Sequence, residues 1–191
     1  MESANPSWTT NLAVRELPYL EDHCVQGSIV YPAAAYIEMA LAAAREITDQ
    51  VPVVLENVEF KRVLTLDKEE VQQLQFIFDT QGETFGIYSR PREGTGEWTL
   101  HSTGRLQPRR SAPDGKPLTL AALQHRCKKE RSRESCYAAL KERGLQYGPR
   151  FQGLETMWHG DQETLSRIQL PDKVGDLDDY QLHPALLDAC F

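Results

Sequence analysis

The stretch Ala33-Ala34-Ala35-Tyr36-Ile37-Glu38-Met39-Ala40-Leu41-Ala42-Ala43-Ala44-Arg45-Glu46 limits the fold more than any other part of this chain. It reads as a helix with two apolar stripes. One is Tyr36, Met39, Ala40, Ala43 and Ile47; the other is Ala33, Ile37, Leu41 and Ala44. A helix apolar nearly all round must be buried nearly all round. Its alanines let a neighbouring sheet approach closely. Pro32 opens it, because a missing N–H costs nothing in a first helical turn. Glu38 is the charge that interrupts the apolar run from Ile29 to Ala44.

Beyond this helix the chain has strand periodicity. Leu74, Phe76 and Phe78 alternate with Gln73, Gln75 and Ile77, Asp79 to Glu83 forms a turn, and Phe85 to Arg90 returns. After a second turn, Arg92 to Glu97, the run Trp98 to Leu106 alternates again, and Val53 to Leu66 adds one or two strands. A buried helix followed by consecutive antiparallel strands predicts an α+β chain whose sheet wraps a central helix. Residues 108–117, rich in proline, read as a linker. Ser132 or Ser135 caps a helix to about Arg143, which Gly144 ends. Leu154 to Leu170 reads as a hairpin turning at His159-Gly160-Asp161. His183-Pro184-Ala185-Leu186-Leu187-Asp188 opens a second apolar helix with a proline-alanine pair, like Pro32-Ala33. This is a faint internal repeat. The expected division is 1–107 for a first half, 108–131 for a linker and 132–191 for the start of a second half.

Composition narrows the functional classes. The net charge of -7 argues against a general nucleic-acid binder, which needs a basic patch for phosphates. The basic run from Arg126 to Arg133 is expected to be a solvated helical face. No stretch reaches the ~18 apolar residues of a membrane helix. The opening residues lack the basic and apolar regions of a signal peptide. Cys24, Cys127, Cys136 and Cys190 form neither a CxxC pair nor a zinc spacing, so reduced thiols in the cytoplasm are expected.

Three segments can carry chemistry. His23 stands just before the buried helix, with Gly27 and Pro32 at fixed spacing. It reads either as a satisfied loop histidine or as a base near backbone donors at a helix start, the pair that proton removal beside a carbonyl requires. Asp188, between Leu187 and Ala189, is either a carboxylate on a solvated helix edge or a buried acid. Tyr147, in Tyr147-Gly148-Pro149-Arg150-Phe151, reads as part of a turn entering a strand, and its phenol is a candidate donor near a reacting oxygen. His183, before Pro184, is expected to be structural.

Together the segments resemble the dehydratase domains of modular polyketide synthases. HxxxGxxxxP matches from His23 to Pro32, YGPxF from Tyr147 to Phe151, and HPxxLD from His183 to Asp188. The resemblance implies a double hotdog, each half an antiparallel sheet around a central helix, with one catalytic residue from each half. His23 would take the α proton of a β-hydroxyacyl thioester and Asp188 would protonate the departing hydroxyl. The Gly27 N–H would hold the thioester carbonyl, Tyr147 would help hold the hydroxyl, and Pro32 would border the substrate. The substrate would arrive on the phosphopantetheine arm of an acyl carrier protein, with no metal or bound cofactor. Neighbouring synthase domains and a homodimer are the other expected partners.

The family's usual His-Pro-Leu-Leu-Gly opening is absent, and Met1 to Ser7 looks unrelated to it. The family usually carries Gln or His four residues after the Asp, whereas Phe191 is three residues after Asp188. The chain is therefore expected to be a fragment, truncated within its second hotdog and weakly active or inactive alone. The competing readings are a product-template domain that cyclises poly-β-keto chains and a non-catalytic hotdog scaffold.

Overall fold

The computed structural model describes residues 5–48, 52–93, 96–109, 118–172, 174–175 and 177–191. Strand β1 (Ser7–Ala13) is followed by a 3-10 turn (Pro18–Asp22) and a short hairpin, β2 (His23–Val25) and β3 (Ser28–Val30). Helix α1 (Ala33–Ile47) comes next, then β4 (Val53–Phe60), β5 (Thr65–Leu66), β6 (Val71–Asp79), β7 (Thr84–Pro91) and β8 (Thr99–Pro108). The second half contains α2 (Leu120–Arg126), β9 (Lys129–Ser132), α3 (Arg133–Glu142), β10 (Leu145–Tyr147), a 3-10 turn (Pro149–Phe151), β11 (Leu154–His159), β12 (Thr164–Ile168) and α4 (Pro184–Asp188).

The first half is the wrapped helix that the apolar stripes require. An antiparallel sheet in the order β1-β6-β7-β8-β4 packs its inner face on α1, which touches β4, β6 and β8. Period-two alternation aims Leu74, Phe76 and Phe78 of β6 at the helix, all buried. Ala34, Ala35, Ala40 and Ala44 are buried on α1, and their small side chains allow the close approach of the sheet. Ala42, Arg45 and Glu46 mark the narrow exposed face. Glu38, the apparent interruption of the stripe, is itself buried.

A second sheet, β10-β2-β3-β5, joins the two halves of the chain. A third, β12-β11-β9, belongs to the second half alone. Ser132 caps α3 as expected, its hydroxyl accepting the Ser135 N–H, and Gly144 follows with φ +86°. The hairpin of β11 and β12 and the helix after His183 also form where the sequence places them. Among the described residues no helix is long and apolar enough to cross a membrane.

The structure departs from the sequence pattern in three places. The basic run after Arg126 is not a helical face: Lys129–Ser132 is edge strand β9, paired with β11. Within the 108–131 division, α2 and β9 occupy much of 118–132, while 110–117, most of the proline-rich linker, lie outside the described residues, as does Gly94 of the second turn. A boundary at 131/132 would cut β9. Strand β1 has no counterpart in the sequence reading. It is an edge strand whose first residues are largely exposed, so it shows no alternation until Leu12 and Ala13 enter the core.

Candidate active site

His23 opens β2, and the hairpin explains its spacing to Gly27. The turn between β2 and β3 uses Gln26 (φ 50°) and Gly27 (φ 82°), a left-handed pair that suits a two-residue hairpin. The hairpin folds Val30 back beside His23, whose Nδ1 lies 2.7 Å from the Val30 carbonyl oxygen. A carbonyl only accepts, so Nδ1 carries the proton and the lone pair of the neutral ring is on Nε2. Nε2 faces Asp188 Oδ1 at 3.7 Å, too far for a hydrogen bond between them. Both side chains are buried.

The YGPxF segment carries the second half of the site to the first. Tyr147 of β10 is the direct cross-strand partner of His23 in β2, and the two rings stack with centroids 5.1 Å apart. The Phe151 ring, 4.9 Å from the imidazole, closes another side. Asp22, next to His23, is the latch. Its carbonyl accepts the Gly148 N–H (2.8 Å) and its carboxylate accepts the Arg150 N–H (2.7 Å). The Arg150 guanidinium donates to the Pro18 carbonyl (2.8 Å). A Cβ on residue 148 would lie 2.5 Å from Asp22 Cγ, so only glycine fits against this latch. Gly148→Ala is therefore expected to cost about 1–3 kcal/mol of stability. Thermal or denaturant unfolding checks this, and an unchanged midpoint would contradict the latch.

Asp188 is the last residue of α4. His183 caps this helix, its Nδ1 accepting the Ala185 N–H at 3.1 Å, which fits the structural role expected of it. Burial raises the Asp188 pKa, while the nearby His23 and the Tyr147 phenol favour the charged form and oppose the rise. Asp188 Oδ2 is buried without a hydrogen-bond partner in the protein. The Tyr147 phenol is itself pushed up, first by burial and then by the negative charge of Asp188, so it remains a protonated donor. A cavity of about 520 Å³ lies beside this strand pair, lined in part by Cys24, Gly27, Gln146 and Tyr147.

The raised Asp188 pKa has a thermodynamic signature. Between the ordinary carboxylate value of the unfolded chain and the higher folded value, the native protein holds more protons than the unfolded one. The contribution to stability is full at low pH and is lost as pH rises through the folded value. Asp188→Asn removes this dependence. Its Tm relative to the unsubstituted protein is expected to climb as pH is raised from about 4 to 8. A pH-independent difference would contradict a raised pKa.

Gly27 and Pro32 each have a backbone task where they stand. Gly27 is at the exposed hairpin tip, and its N–H already donates to the Gln146 side chain at 2.7 Å. Its glycine character serves the turn. Pro32 is the N-cap of α1, fully buried, and its carbonyl accepts the Ala35 N–H. It shapes the helix start. The sequence reading missed Asp22 as a latch and Phe151 as a wall. The YGPxF motif held the only signal for both.

Residues 1–90 match the family model described as a polyketide synthase dehydratase domain, and residues 115–191 match one described as a polyketide synthase dehydratase N-terminal domain. The opening residues, expected to be unrelated, fall within the first match. A solved trans-AT polyketide synthase dehydratase domain from Brevibacillus brevis is 30% identical, with a TM-score of 0.81 over 97% of this chain and 71% of that one. The chain belongs to the polyketide synthase dehydratase domains. The dehydratase domain from the CurK module of the curacin polyketide synthase superposes with a TM-score of 0.88 at 29% identity, over 98% of this chain and 68% of that one. The double-hotdog family fold is thereby shown. CurK has also been solved as a histidine-to-phenylalanine and an aspartate-to-asparagine variant, each described as inactive. Polyketide synthase PksM of Bacillus subtilis is 33% identical over 182 residues, which is 91% of this dehydratase chain but 4% of that synthase. Neighbouring synthase domains are thus implied.

Proposed function

We propose that this dehydratase removes water from a β-hydroxyacyl thioester carried on the phosphopantetheine arm of an acyl carrier protein, leaving the α,β-unsaturated thioester. The observation that supports this reading best is the lone pair of His23 Nε2 facing the buried Asp188 carboxyl across 3.7 Å. A base and an acid facing one another across one buried site are what the elimination needs.

Nε2 takes the α proton. The C–H electron pair becomes the new Cα–Cβ π bond, and the C–O bond to the β-hydroxyl breaks. The Asp188 proton goes to the departing oxygen, which leaves as water. The imidazolium then returns its proton to the Asp188 carboxylate, restoring both groups without an added cofactor. Charge that builds on the thioester oxygen is met by the Gly27 N–H, which borders the cavity beside β2 and β10, a substrate oxygen taking the place of the Gln146 side chain that it now faces. Tyr147, protonated and against Asp188, holds the hydroxyl.

Intact-mass analysis of a 3-hydroxyacyl carrier protein incubated with the full-length protein tests the reading. Loss of one water from the acyl group is expected. An unchanged acyl carrier, or activity only as cyclisation of a poly-β-keto chain, would overturn it.

A further inference from the structure

We propose that Glu38 is a positioning residue for the catalytic acid: its carboxylate, carried by α1, grips the backbone leading into α4 and sets where Asp188 meets His23. The inference rests on the role proposed for Asp188 above.

The Glu38 side chain is buried in the helix that the first sheet wraps. Both of its oxygens are used. Oε1 accepts the Gln181 N–H at 2.7 Å and Oε2 accepts the Leu182 N–H at 2.8 Å. Two consecutive amides aimed at one carboxylate fix the direction of the strand of chain as well as its place. Charge-assisted bonds of this kind are among the stronger ones available. The partners are 143 and 144 residues away in sequence, so the grip ties the first-half helix to the second half.

The gripped amides lead directly to the acid. Leu182 is followed by His183, the cap of α4, and Asp188 ends that helix. A helix of five residues cannot hold itself in water, so its position must come from what anchors it. It packs on α1 and on the turn Pro149–Phe151. Glu38 supplies the directional anchor on the α1 side. An apolar residue at 38 would have continued the stripe without the cost of burying a carboxylate. Burial pushes the Glu38 carboxyl up while the two amides draw it back down, and both bonds use its charged form. The Tyr19 and Tyr31 phenols share this buried region, each pushed up first by its own burial and in smaller part by the Glu38 charge.

Glu38→Gln keeps the shape, but its amide group can accept only one of the two N–H bonds. In the folded full-length variant, kcat for dehydration is expected to fall on the order of a hundredfold, the loss that a misplacement of about 1 Å brings. KM should change less than about twofold, because the substrate contacts are intact. Amide hydrogen exchange at Gln181 and Leu182 should quicken. Glu38→Asp retains the charge but withdraws the carboxylate by one methylene, and provides the same comparison if the glutamine variant does not fold; kcat is again expected to fall. A folded variant with unsubstituted kcat, whatever its Tm, would overturn the positioning role. Asp188→Asn in the same assay separates the two ideas. If it turns over normally, the proposed chemistry fails. If it is inactive while Glu38→Gln is fully active, only the role of Glu38 fails.

Discussion

Replacing His23 with alanine is expected to slow dehydration about a thousandfold, within the range that a positioned general base supplies. The imidazole is held on three sides, by the Val30 carbonyl at Nδ1 and by the rings of Tyr147 and Phe151. Alanine removes the base and leaves a small cavity between the two aromatic walls. The stability cost is expected to be a few kcal/mol at most, by analogy with other large-to-small changes in packed sites. His23→Phe provides the cleaner contrast. It refills the space between the rings but lacks the nitrogen lone pair and the Nδ1–H bond to the Val30 carbonyl, so it should be as inactive as alanine while unfolding closer to the unsubstituted protein. Steady-state turnover of a carrier-bound 3-hydroxyacyl substrate reads the first effect and thermal unfolding the second. A scaffold without catalytic duty would show no loss of turnover in either variant.

The Asp188→Asn substitution should produce a loss of similar size for a different reason. Asparagine matches the carboxyl in shape and can still accept a bond from the Tyr147 phenol. Its amide, however, has no acidic proton to give to a departing hydroxyl. Turnover should fall about a hundredfold to ten-thousandfold, with KM little changed because the walls of the site stay in place. The same variant is expected to gain stability at neutral pH, since it no longer buries a group that ionises against its surroundings. Lost turnover joined to gained stability is the signature of a residue kept for chemistry. A variant that lost both would be a structural residue instead.

Helix α1 was legible because an apolar pattern on all faces admits only a wrapped position. Strands β6, β7 and β8 were legible from alternation. The pairing of His23 with Asp188 was legible only through motifs in order, since nothing local brings together groups 165 residues apart in sequence (188 − 23). Register was out of reach. That Tyr147 stands directly across from His23 depends on β10 pairing with β2, a contact between halves of the chain. The spacing of Gly27 fits a motif, and the left-handed turn of the hairpin, which the residue pattern does not display, also demands glycine there. Edge strands β1 and β9 escaped because their mostly exposed faces leave no alternating signal. Glu38 looked like a flaw in an apolar run because its partners are two backbone amides at the far end of the chain, and backbone leaves no trace in a residue pattern.

The most direct test of the central claim is turnover by the His23→Ala, Asp188→Asn double variant beside the two singles. Groups that move protons in one concerted step on one substrate cannot lose their effect twice. The double variant is therefore expected to run about as slowly as the slower single. Losses that multiply in the double variant, or a single variant that keeps full turnover, would contradict a shared site for the imidazole and the carboxyl.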